Sequence, residues 1–107
     1  MNIRKLALDL LMKYEVSETY INLALSTHAA DSLTREERAQ LTALLYTTVE
    51  HKLTYDYYIS AISGRSPADI DPYTKNVLRL GICQILEMSS VPDFAAVNES
   101  VKLARNK

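Results

Sequence analysis

Asp71-Pro72-Tyr73-Thr74-Lys75-Asn76-Val77-Leu78-Arg79-Leu80-Gly81-Ile82-Cys83-Gln84-Ile85-Leu86 is the stretch that decides the fold class. Its first two residues start a helix. An aspartate at the N-cap accepts from a backbone N–H that has no helical partner, and proline at the first helical position has no N–H to waste. From Val77 onward the segment is apolar nearly all round, through Val77, Leu78, Leu80, Ile82, Cys83, Ile85, Leu86 and Met88, without the alternation of a half-buried strand. A helix of that kind belongs in the middle of a bundle. Gly81 inside it costs roughly 1 kcal/mol against alanine, which marks it as a structural position where another helix backbone comes close.

Outward from this helix the same logic repeats. On the C-terminal side, Val91-Pro92 breaks the chain, and a last helix is predicted to carry Phe94, Val97, Val101 and Ala104 inward. On the N-terminal side, Gly64 suits a left-handed helix stop, and Thr54 is the expected cap of a short helix through Tyr58, Ile59 and Ile62. Thr34-Arg35-Glu36-Glu37 reads as a capping box opening a helix through Leu41, Leu44, Leu45, Thr48, Val49 and Lys52. Thr19 is placed to cap another, through Ile21, Ala24, Leu25 and His28. Ile3, Leu6, Ala7, Leu10, Leu11 and Tyr14 make one stripe of an amphipathic opening helix, with Lys5, Asp9 and Lys13 in an i, i+4 row opposite. The expectation is an all-α compact bundle of about six helices.

Composition agrees. In 107 residues there are 2 Gly and 3 Pro, too few to turn the hairpins of a sheet protein. The single cysteine, Cys83, excludes an internal disulfide framework and fits a reducing, cytoplasmic setting. No signal peptide and no membrane-length apolar run is visible.

No catalytic constellation stands out. Gly64 and Gly81 are isolated, His28 and His51 lack metal-ligand spacing, and Cys83 sits among packing residues. Glu36 and Glu37 are explained by capping. Neither a cofactor nor a metal is expected in this chain. A net charge of −1 argues against nucleic-acid binding by bulk charge, so any such contact needs a local patch. The candidates are Arg4 and Lys5 near the start, Lys75, and Lys102 and Arg105 at the end; residues 15–50 hold an acidic excess. Arg79 is either exposed beside Lys75 or buried against a carboxylate. The buried, structural reading is favoured, with Glu99 as its partner. Of seven tyrosines, Tyr14, Tyr46 and Tyr58 fall on apolar stripes, which makes them core-edge residues rather than base-stacking platforms.

Three stretches in order then carry a family resemblance: Leu44-Leu45-Tyr46-Thr47-Thr48-Val49 continuing to Leu53-Thr54-Tyr55-Asp56-Tyr57-Tyr58; Asp71-Pro72 leading to Val77-Leu78-Arg79-Leu80-Gly81-Ile82-Cys83-Gln84-Ile85; and Val91-Pro92 followed by Ala95-Ala96-Val97-Asn98-Glu99-Ser100-Val101-Lys102-Leu103-Ala104. Together with Ile3-Arg4-Lys5-Leu6-Ala7-Leu8 they resemble the NusB-like domain at the N-terminus of RsmB-type (Fmu/Sun) ribosomal-RNA cytosine methyltransferases. The resemblance implies a helical, RNA-binding module over residues 1–107, truncated at its C-terminal end. It also implies a fused methyltransferase domain that uses S-adenosylmethionine to make 5-methylcytosine in small-subunit ribosomal RNA. The family's catalytic cysteines have no counterpart here. Thr47 stands where the family commonly has glycine, and the pattern runs on past Lys107 through a Gly-rich turn and a further helix. Ribosomal RNA and the chain's own methyltransferase domain are therefore the expected partners, and no membrane is. The alternatives are a free-standing NusB-type antitermination factor and a helical docking module with little RNA contact.

Overall fold

The computed structural model describes residues 2–17 and 32–105. These form five α-helices, with no strand among the described residues: α1 (Ile3–Ser17), α2 (Arg35–Glu50), α3 (Lys52–Ser63), α4 (Pro72–Glu87) and α5 (Asp93–Arg105), with a short 3-10 turn at Pro67–Asp69. The all-α class follows directly. The helix expected from Thr19 to His28 lies outside the described residues, as does the side chain of Tyr14.

The helix α4 is the centre of the bundle, and α1, α2, α3 and α5 all pack on it. Asp71 caps it through Oδ2, which accepts from Thr74 N at 3.0 Å, and Pro72 follows. Two bonds give the sense of α1 against it: Arg4 Nε donates to Gln84 Oε1, and Asn76 Nδ2 donates to Met12 Sδ at 3.4 Å. The start of α1 thus lies by the end of α4, and the helices are antiparallel. Wedged against both α2 and α4, α1 buries more than one stripe; Leu8 is fully buried with Leu6, Ala7, Leu10 and Leu11.

Both halves of the capping box at α2 are formed. Thr34 Oγ1 accepts from Glu37 N at 3.1 Å and Glu37 Oε1 accepts from Thr34 N at 2.9 Å. The backbone bond to Thr34 holds the exposed Glu37 carboxyl below its ordinary value. Gly64 closes α3 with φ 72° and its N–H bonded to Ser60 O at 2.9 Å.

Four expectations need correction. Thr54 does not cap α3, and Lys52 does not end α2: His51 alone joins the two helices, closing α2 and preceding Lys52, so Thr54 lies inside α3. Ile62 is 87% exposed, because α3 turns Tyr55, Asp56 and Ile59 inward instead. In α5 the buried residues are Ala96 and Leu103, whereas Phe94, Val97 and Val101 are exposed. The apolar stripe of α5 lines an open groove against α4 rather than a closed core. Finally, Tyr46 and Tyr58 are exposed, and Tyr55 is the tyrosine the core takes in.

Candidate nucleic-acid interface

Arg79 lies on the face of α4 that meets α3. It is 3% exposed, and its guanidinium forks onto Asp56: Nε reaches Oδ1 and Nη2 reaches Oδ2, each at 2.7 Å. Nη1 donates to Asn76 Oδ1 at 2.9 Å. The partner is therefore Asp56 and not Glu99. Three residues after Asn76, Arg79 faces α3, while Glu99 lies on α5 and pairs with Lys102 at 3.5 Å. Asp56 hides in the sequence because it sits within an aromatic run.

Gly81 meets α5 through a side chain rather than a backbone. A Cβ placed there would lie 2.7 Å from Ser100 Oγ and 3.6 Å from Ser100 Cβ. On the opposite side of α4, Cys83 is buried with Thr48 of α2 and Tyr55 of α3 beside it. Burial pushes both the Cys83 thiol and the Tyr55 phenol up, and for the thiol it outweighs the opposing pull of the neighbouring Thr48 and Tyr55 hydroxyls. A thiol held neutral in this way is packing, not a nucleophile.

The five cations singled out in the sequence do not meet. Arg4 is half-buried near the end of α4, fixed by Gln84. Lys5 pairs with Asp9 at 2.8 Å, a contact that raises its pKa. At the other end, Tyr73 Oη donates to Leu103 O at 2.6 Å, tying the start of α4 to the end of α5. Lys75 and Arg105 fall at that end, together with Lys102. The terminal helices both pack on α4 and place their basic ends at opposite poles.

Two further arginines lie on α2, Arg35 within the capping-box stretch and Arg38 one turn on. Arg35 and Arg38 are exposed on α2 and, with Ala39, Thr42 and Ala43, line a shallow hollow. Ala39 and Ala43 also edge a second groove, which contains Arg4, Gln40, Gln84 and Ser90. The signal was present in the sequence: positions 35, 38, 39, 42 and 43 follow helical spacing without one large apolar residue. Among the described residues no carboxylate lines either hollow, and no group of three metal-ligating side chains exists. No helix among the described residues is long and apolar enough to cross a membrane.

The described residues form an all-α bundle in which a buried ion pair ties α3 to α4. The chain belongs to the NusB family, whose model matches residues 1–107. It is 32% identical over 105 residues to a Bacillus subtilis protein named "Probable ribosomal RNA small subunit methyltransferase B", a match covering 97% of this chain and 23% of that protein. It is 25% identical to the transcription antitermination protein NusB of Pseudoalteromonas atlantica, covering 96% of this chain and 74% of the relative. A Mycobacterium tuberculosis protein that carries a methyltransferase name is 33% identical over 102 residues, covering 94% of this chain and 22% of that protein. The chain thus spans about a quarter of the methyltransferase relatives it matches. No solved structure matches.

Proposed function

We propose that this chain binds small-subunit ribosomal RNA and presents it to a methyltransferase domain of the same polypeptide, one that uses S-adenosylmethionine to form 5-methylcytosine. The observation that carries this reading is the likeness to a named ribosomal-RNA methyltransferase along 97% of the chain. Nothing in this module is asked to hold the cofactor. Its part is electrostatic and positional: Arg4, Lys5, Lys75, Lys102 and Arg105 supply cations for phosphates, while Arg79 and Gly81 serve the bundle. A role in ribosomal-RNA modification places the protein in the cytoplasm.

The test is a titration of this chain with a small-subunit ribosomal-RNA helix at several salt concentrations. Binding should weaken linearly in log salt, and neutralising a contacting cation should lower the slope by a little under one. Absence of binding even at low salt sinks the RNA reading.

A second reading is a docking module with little RNA contact. It is favoured by the open apolar groove between α4 and α5, where Leu78, Ile85, Val97 and Val101 stay exposed. A third is a free-standing antitermination factor, in keeping with the relatives of that name. The reading frame downstream of Lys107 separates it from the first: a methyltransferase frame supports the fused enzyme, and a stop codon within about a helix length supports the factor.

A further inference from the structure

The outward face of α3 carries no charge. Tyr55, Asp56 and Ile59 turn inward, and Asp56 is taken up by Arg79. Leu53, Thr54, Tyr57, Tyr58, Ala61 and Ile62 are exposed, Leu53 and Ile62 by 80% and 87%. A helix face turned to water ordinarily carries charged side chains, and a contiguous apolar patch left open marks an interaction surface. The bundle itself does not use this face, because α3 packs on α4 through its other side.

The spacing of these residues is self-complementary. They form two i, i+4 rows side by side, Leu53-Tyr57-Ala61 and Thr54-Tyr58-Ile62. Taken from opposite ends, the rows match in kind: Leu53 with Ile62, Tyr57 with Tyr58, Ala61 with Thr54. Two copies of α3 laid antiparallel about a twofold axis thus bring aliphatic onto aliphatic at the ends and four tyrosine rings together at the centre. Within one chain the Tyr57 and Tyr58 rings already lie 6.0 Å apart. A twofold interface demands this pattern, since each contact is made twice with its residues exchanged. Charge agrees with it. Glu50 and Arg65, both exposed, stand two residues outside the two ends of α3, so the anion of each copy comes toward the cation of the other; Lys52 is half-buried and engaged within its own chain. Antiparallel helices also oppose their dipoles, and a net charge of −1 leaves little long-range repulsion between copies.

We propose that the outward face of α3 is a homodimer surface, on which a second copy of this chain lies antiparallel, with Leu53 of each copy against Ile62 of the other and Tyr57 against Tyr58. One helix about 18 Å long and about 10 Å across offers less than the roughly 800 Å² per partner of a standard interface. The dimer is therefore weak, half-formed at micromolar rather than nanomolar concentration. It does not depend on the RNA reading above.

The test is sedimentation equilibrium of the 107-residue chain from low to high micromolar concentration. The mean mass should rise from the 12.1 kDa of one chain toward twice that value. Leu53→Arg and Ile62→Arg place a charge at exposed positions where arginine is a good helix former, and circular dichroism verifies the fold. Each should weaken association by about tenfold or more. Val97→Arg, in the apolar groove between α4 and α5, is remote from this face and should leave association within about twofold. Disulfide trapping reads the register: Leu53→Cys chains mixed with Ile62→Cys chains should link readily, and either kind alone should link far less. The unaltered chain, whose Cys83 is buried, is the blank. A chain that stays monomeric throughout overturns the dimer and leaves the face to another part of a longer polypeptide. Association that survives Ile62→Arg, or that is lost with Val97→Arg, overturns the surface. Equal linking in every mixture overturns the antiparallel register.

Discussion

At the scale of single residues, Arg79 shows how much one buried charge can organise. Its three bonds to Asp56 and Asn76 tie α3 to α4 in a place with almost no solvent. The net worth of such a pair against an apolar pair of equal volume is small, but the cost of removing one partner is large. Arg79→Met should therefore destabilise the chain by about 3–5 kcal/mol in urea unfolding, since the Asp56 carboxylate is left without its partner. Arg79→Met combined with Asp56→Leu should recover most of that loss. If the double variant is as unstable as the single one, the pair is not what holds α3. That Arg79 would be buried against a carboxylate was legible from its apolar neighbours. Which carboxylate was not, because Asp56 lies 23 residues away and only the crossing of α3 over α4 brings it near.

Among elements, the contact of α4 with α5 explains why a glycine interrupts the most apolar helix. The obstacle at Gly81 is the Ser100 hydroxyl, the end of a side chain that can rotate, and not the α5 backbone. Gly81→Ala alone should thus be close to neutral, with the helical gain of alanine set against a forced turn of Ser100. Gly81→Ala with Ser100→Ala removes the obstacle and should raise stability by roughly 1 kcal/mol, read as a higher urea midpoint at unchanged slope. A loss of stability in the double variant would mean that the backbones of α4 and α5 approach more closely than their side chains indicate. Helix signals of this kind were readable in advance: the capping box at Thr34, the Asp71-Pro72 start and the Gly64 stop are local, each made by residues within four positions. The start of α3 was not, because His51 closes α2 and precedes α3 with no side-chain cap to mark it.

For the molecule as a whole, the junction of α2, α3 and α4 sets its response to alkali. Burial raises the pKa of both Cys83 and Tyr55 in the folded chain above their ordinary values of 9.0 and 10.0. Groups with raised folded pKa values stay protonated in the native state while the unfolded chain loses the same protons. Stability is therefore level with respect to these groups below about pH 9 and falls as pH rises beyond it. Urea midpoints measured across that range should decline above about pH 9, and Cys83→Ala should shallow the decline while Tyr55 retains part of it. A flat profile in the unaltered chain would show that these groups are not shielded. Taken together, the sequence by itself determined the all-α class, most helix ends and the central place of α4, because capping and hydrophobic periodicity act over a few residues. Only the tertiary structure decided which charges meet. Packing on α4 parted the cations at the chain's two ends, joined Arg79 to Asp56 and set Arg4 against Gln84, arrangements between segments far apart in sequence that no local pattern encodes.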